Sequence, residues 1–96
     1  MCYSYGLDFE WDPAKAASNK RKHGVSFEEA LTCFHDPLAL LLEDRGHAER
    51  LVLVGVSTRS RVVFTVFAEL DADRIRIISA RRATRQERSR YEEGAG

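Results

Sequence analysis

Four apolar runs in the second half of the chain, Ala39–Glu43, Leu51–Ser57, Val62–Leu70 and Ile75–Ala80, restrict the fold more than any other feature. Rich in Val, Ile, Leu and Phe and separated by the polar segments EDRGHAER, TRSR and DADR, they read as strands. Sequential strands with short links favour an antiparallel meander. If TRSR and DADR are the whole loops, Ser57 pairs with Val62 and Leu70 with Ile75. Counting onward sets Arg50 opposite Glu69, and Glu69 opposite Arg76. One face then carries Leu51, Leu53, Val62, Phe64, Val66, Ile75 and Ile77 and is expected to lie against helices. The other mixes Val52, Val54, Phe67 and Ile78 with Arg50, Thr65, Glu69, Arg76 and Arg82, a partly open face with a charged ladder. A slip of one residue exchanges the faces.

The first half reads as helices. Asp12 and Pro13 suit a helix cap and first position, because Asp accepts from orphan amides and Pro has none to leave orphaned. Gly24, after His23, supplies the left-handed stop. Ser26 and Glu29 form the capping box of a second helix, with Val25 stapled to Ala30. Its buried stripe is Phe27, Ala30, Leu31 and Phe34, and Asp36-Pro37 ends it. A final helix begins at Thr84, where Glu87 completes a second capping box. Its body, RQERSRYEE, has little apolar stripe and so needs a partner for stability.

The expected fold is α+β: two N-terminal helices on a four-stranded antiparallel sheet, plus a C-terminal helix. The apolar start Leu7–Trp11 leaves room for a short fifth strand. With 96 residues there is material for one core, expected to span residues 1–93 and to leave 94–96 as a disordered tail.

Composition narrows the function classes. Hydrophobic residues at 44% are too many for a disordered chain, and no apolar run reaches the roughly 18–20 residues of a membrane helix. The start MCYSYGLDFEWD lacks the layout of a signal peptide, which points to the cytoplasm. Cys2 and Cys33, at neither metal nor redox spacing, read as free thiols. Net charge is zero, yet residues 1–49 hold five basic against nine acidic residues and 50–96 hold ten against six. Basic character is therefore confined to the region where it can face a polyanion.

The strongest constellation is SARRATRQER, Ser79–Arg88. A strand end, an arginine cluster and a helix N-terminus together attract anions, phosphate above all. A solvated basic helix paired with Glu92 or Glu93 accounts for the pattern equally well. His23, beside Lys20, Arg21 and Lys22, suits a general acid or base, or a C-capping histidine. Glu69, counted between two arginines, suits a base or a positioning salt bridge. Glu87 reads as a cap, and Trp11, Phe64 and Phe67 as core. Phosphate-loop, dinucleotide, hydrolase-elbow and zinc-protease motifs are absent from the sequence. An enzyme of this kind is expected to need no metal or cofactor. Metal-free RNA cleavage suits it, because the 2′-hydroxyl supplies the nucleophile.

Three phrases, FEWDPAK (Phe9–Lys15), NKRKHGVSFEEA (Asn19–Ala30) and IRIISARRATRQER (Ile75–Arg88), together resemble the BrnT toxins of type II toxin–antitoxin systems. The resemblance implies a RelE-like fold, a ribonuclease that inhibits translation, and a cognate BrnA antitoxin with its own DNA-binding domain. The family's K-H-G turn falls on Lys22, His23 and Gly24, its arginine before the central hairpin on Arg50, and its strand-to-helix arginine on Arg81. Its T-E-R stretch falls on Ala68, Glu69 and Leu70, so the glutamate is kept and the arginine is not; Arg74 and Arg76 are the available substitutes. The expected catalytic set is Arg81, Arg50, Glu69 and His23, with Arg82, Arg85, Lys22 and Arg76 binding RNA phosphate and Arg90 mattering less. Expected partners are RNA and a BrnA-like antitoxin in a hetero-oligomer. The alternative is a non-catalytic module that docks a protein partner.

Overall fold

The first helix starts and stops where the sequence places its caps. In a computed structural model, which describes residues 8–44 and 46–95, Asp12 accepts from the Ala14 N–H and Pro13 opens α1 (Pro13–His23). Gly24, at φ 72°, closes it by donating its N–H to the Lys20 carbonyl. Helix α2 (Phe27–Thr32) follows at once, the Ser26 hydroxyl accepting from the Glu29 N–H at 3.0 Å, and passes into a 3-10 turn (Cys33–His35). Four strands then form the expected meander: β2 (Leu40–Glu43), β3 (Leu51–Val56), β4 (Val62–Asp71) and β5 (Arg74–Arg82). A short β1 (Asp8–Glu10) adds the fifth strand, but parallel to β5, so the sheet is mixed, in the order β1-β5-β4-β3-β2. Helix α3 (Arg85–Ala95) ends the fold and runs past Glu93, where the sequence suggested a disordered tail. Leu7, Cys2 and Gly96 lie outside the described residues. Among the described residues no helix is long and apolar enough to cross a membrane.

The register departs from simple counting in two ways. At the first hairpin Ser57 donates its N–H to the Arg61 carbonyl at 2.8 Å, and Ser60 donates to the Ser57 carbonyl at 2.9 Å. The turn is thus three residues, Thr58–Ser60, with Ser60 left-handed at φ 62°, the geometry in which a type I turn is closed by one left-handed residue. Arg61 joins the ladder, and Val56 rather than Ser57 faces Val62. In the second hairpin Asp71 faces Arg74, and Leu70 and Ile78 are each the extra residue of a bulge. Glu69 consequently faces Ile75, and Arg76 faces Ala68.

These slips reassign the faces as well. Val25, Phe27, Ala30 and Cys33 pack on Val63, Ile77 and Ala80, with Phe9, Trp11 and Leu53 at the margin. Phe34, in the 3-10 turn, meets Phe9 and Phe67 edge-on, at 5.0 Å each. Phe67 and Thr65 therefore lie under the helices, whereas Val62, Phe64 and Val66 lie on the other face with Val52, Val54 and Tyr91. Full burial of a Phe or Val side chain contributes roughly 1.5–3 kcal/mol, so the helix-covered layer dominates stability. Beyond β1 the outer edge of β5 is closed by a side chain. The Asn19 amide donates to the Ala80 carbonyl at 2.7 Å and accepts from the Ala80 N–H at 3.1 Å, as a neighbouring strand would.

A buried ion pair ties helices to hairpin. Glu29, only 6% exposed, accepts from the Ser57 hydroxyl at 2.7 Å and from Arg61 Nε at 2.9 Å, and its other oxygen meets Arg61 Nη2. Arg61 Nη2 also donates to the Gly24 carbonyl at 3.1 Å. Glu29 is therefore not free to complete the capping box expected of it. The Arg61 hydrogen bond, outweighing burial, holds its carboxyl below the ordinary 4.5.

Because the folded-state value lies below the unfolded one, this pair contributes fully above pH 4.5 and is lost as pH falls through the folded value. Arg61→Ala, which leaves Glu29 buried without its cation, is expected to cost about 3 kcal/mol at neutral pH. It should also narrow the stability gap to wild type as the medium is acidified. Urea unfolding followed through Trp11 fluorescence at a series of pH values checks both.

Candidate active site on the open sheet face

Helix α3 covers only part of the sheet face opposite α1 and α2. Its polar body is held by one aromatic anchor, Tyr91, which packs on Val52 and Val54 and donates its hydroxyl to Asp36 Oδ2 at 2.5 Å. Burial, reinforced by this bond to a carboxylate, pushes the Tyr91 phenol up to about 12. Burial opposes ionisation of Asp36 too, but donation from Tyr91 and from the Val56 and Leu38 amides outweighs it and keeps the carboxyl below its usual range. The partner that the sequence demanded for this helix is thus the protein's own Asp36. Phe64, Val66, Ala68 and Ser79 remain half-buried on the uncovered part of the face.

Arg81 is the best-organised cation there. It faces Phe64 across the ladder, its guanidinium carbon 4.0 Å from the ring centroid, a cation–π distance. Its fork meets Glu87 of α3 twice, Nη1 to Oε1 at 2.8 Å and Nη2 to Oε2 at 2.9 Å. Glu87 is also the cap read from the sequence: Oε1 accepts from the Thr84 N–H at 2.9 Å, and its own N–H donates to the Thr84 hydroxyl at 3.2 Å. The Arg81 hydrogen bond holds Glu87 ionised against partial burial, so it is a weak base. Arg76 flanks Ala68 from β5, and Arg50 directly precedes β3, whose first residue, Leu51, faces Phe67.

Two depressions adjoin these arginines. A groove of about 600 Å³ is lined by Leu42, Val52, Phe64 and Arg90 among others. Arg90 thus borders this groove. A smaller hollow of about 200 Å³ lies between α1 and β5, lined by Lys15, Asn19, Lys22, His23, Ile78 and Ser79. Since β1 pairs only with Arg74–Arg76, this stretch of the β5 edge is open to α1. Ser79 pairs with Val66 on the arginine-bearing face and also lines the hollow, so the hollow that holds Lys22 and His23 adjoins that face at the sheet edge.

Several expected placements change. Glu69 is exposed, faces Ile75 and makes no ion pair among the described residues; the bulge at Leu70 removes it from Arg76, and the three-residue turn removes it from Arg50. Arg81 and Arg82 exchange roles: Arg82 lies beside Val63 on the helix-covered side, exposed, and Arg81 takes the open face. Arg85, Lys22 and His23 are exposed at helix ends, as expected. Neither substitute for the arginine missing at Leu70 is free. Arg74 pairs with Asp71 at 2.9 Å and with Glu10 at 3.4 Å, and Arg76 with Glu10 at 3.0 Å. Two residues of this face lie where the sequence did not put them in the site. Phe64 read as helix-facing core because of the register slip, and the signal for Glu87, T-x-x-E, was spent entirely on its capping role. Cys33, fully buried, has its thiol pushed up to about 12 and is no nucleophile.

A family profile described as "Ribonuclease toxin, BrnT, of type II toxin-antitoxin system" matches residues 11–87. The chain belongs to the BrnT family. The 1.1 Å crystal structure of the Brucella abortus ribonuclease toxin BrnT shares its fold, with a TM-score of 0.68 and 22% identity over 82% of this chain and 99% of that one. No curated protein is significantly similar to this chain. The segment matched by the BrnT profile takes in Lys22, His23, Arg50, Arg81 and Glu87, and stops short of Arg90 and the Tyr91 anchor.

Tyr91→Phe keeps the ring on Val52 and Val54 but removes the bond to Asp36. The expected loss is about 1–2 kcal/mol in thermal or urea unfolding, whereas Glu92→Ala, on the exposed side of α3, should stay within about 0.5 kcal/mol of wild type.

Proposed function

We propose that this BrnT-family chain is a metal-independent endoribonuclease that arrests translation by cutting RNA in the cytoplasm, and that a BrnA-like antitoxin is its partner. One observation carries the reading. Arg81, over Phe64 and paired with Glu87, stands on the open sheet face with Arg76, next to an edge hollow where Ser79 meets Lys22 and His23. Such an array suits a phosphodiester backbone with single-stranded bases beside it, since arginine forks grip phosphate oxygens and an aromatic face accepts stacking.

The chemistry needs little more. The RNA 2′-hydroxyl attacks the adjacent phosphorus, its proton passes to a base, and the 5′-oxygen leaves with a proton from an acid, giving a 2′,3′-cyclic phosphate and a 5′-hydroxyl. Arg81 neutralises charge on the non-bridging oxygens as it develops. Arg50, Arg76 and Lys22 align the strand. His23, exposed and lining the same hollow as Ser79, is the residue of this constellation whose imidazole can both accept and donate a proton. Glu69, away from this face, takes no part.

The test is cleavage of a single-stranded RNA in EDTA by the purified chain. Wild type should cut, Arg81→Ala should be slower by about 10²-fold, and His23→Ala should be impaired similarly. Arg88→Ala, exposed on α3, should cut like wild type. Intact RNA after incubation with the folded wild-type chain in EDTA contradicts the proposal.

A further inference from the structure

Glu87 invites a question, because a carboxylate beside a phosphate-binding arginine opposes the approach of RNA. The answer lies in which edge of the guanidinium it occupies. Arginine carries five N–H donors in a planar fork. Glu87 takes the end-on pair, Nη1 at 2.8 Å and Nη2 at 2.9 Å, and Nη1 also reaches the Arg82 carbonyl at 3.3 Å. The guanidinium carbon lies over the Phe64 ring, 4.0 Å from its centroid. What remains is the side-on edge, Nε–H with the second Nη2–H, and neither has an acceptor among the described residues. That edge is a two-pronged donor of the width that matches two phosphate oxygens.

Glu87 is itself fixed. Both its carboxylate and its amide are engaged by Thr84, and α3 is anchored by Tyr91 on Asp36. The ring and the two-point pair with Glu87 therefore orient Arg81 before substrate arrives. A lone arginine on this face would hold phosphate more strongly in the ground state, but it would have to be ordered as charge develops at phosphorus. Ordering it beforehand favours the transition state over binding.

We propose that Glu87 is a positioning residue for RNA cleavage: it holds the end-on edge of Arg81 so that the side-on edge, Nε and Nη2, meets the scissile phosphate. The inference rests on the reading that Arg81 contacts RNA phosphate.

Glu87→Gln is the informative variant, since an amide oxygen can still cap Thr84 but cannot accept from both ends of the fork. Single-turnover cleavage of a fluorescent RNA oligonucleotide in EDTA should show kcat about tenfold lower with KM unchanged or reduced. The same substitution in an Arg81→Ala background should cost nothing further. Thr84→Ala, which removes the hydroxyl cap and keeps the Arg81 pair, should lower Tm and leave kcat within about twofold.

A wild-type kcat for Glu87→Gln overturns the proposal, including the case in which RNA merely binds more tightly because a competing anion has gone. An equal loss in the Arg81→Ala background, or from Thr84→Ala, also overturns it, assigning the effect to another role of Glu87 or to the cap. If Arg81→Ala alone cuts at the wild-type rate, the failure lies in the functional reading of Arg81 instead.

Discussion

The buried pair of Glu29 and Arg61 is the constraint on which the rest of the architecture depends. It joins the start of α2, the end of α1 through the Gly24 carbonyl, and the β3–β4 hairpin through Ser57. Buried ion pairs often add little net stability over an apolar replacement, because both charges lose water. Here the pair does something an apolar contact would not. It requires Arg61 to leave the turn and enter the ladder, which sets Val56 against Val62 and every later pairing with it. A one-residue difference in a strand exchanges its faces, so this pair sends Phe64 and Val66 away from the helices. Arg81, opposite Phe64, goes with them.

The two sheet faces then take different tasks. One is sealed by α1, α2 and a continuous set of aromatic contacts through Phe34, and it supplies most of the buried apolar area. The other is covered only in part by α3, which packs over β3, pairs Glu87 with Arg81 of β5 and leaves part of an apolar floor uncovered. A rigid sheet backed by a packed layer is a sound support for groups that must hold a phosphate, since strand positions shift less than loops. Asn19 extends that support to the strand edge. By bonding both polar groups of Ala80 it fixes α1 against β5, and so sets the distance between the His23 end of the helix and the arginine face.

Local signals in the sequence were legible because they are made by neighbouring residues. Asp12-Pro13, Gly24, Ser26 and the Thr84–Glu87 box mark the helix ends correctly, and the four strands lie where alternation and turn residues put them. The three family phrases identified the BrnT family correctly. Register was less legible. A three-residue turn needs a left-handed residue, usually Gly or Asn, and here Ser60 fills the place, next to Arg61, which is paired with Glu29, 32 positions earlier in the chain. The bulges at Leu70 and Ile78 likewise follow from packing on both faces. Those slips are why Glu69 seemed to stand between Arg50 and Arg76, and why Arg82 rather than Arg81 seemed to face them. The parallel pairing of β1 with β5 joins the two ends of the domain and leaves no short-range trace.

The central claim is that RNA lies across the uncovered half of the sheet and around the β5 edge to α1. Amide NMR shifts during titration with an RNA oligonucleotide made uncleavable by 2′-O-methylation test this most directly. The account predicts the largest changes at Arg50, Phe64, Val66, Ser79 and Arg81, with Lys22 and His23 following. Changes confined to the Leu40–Glu43 edge strand or to the neighbourhood of Glu69, with Ser79 and Arg81 unmoved, would contradict it.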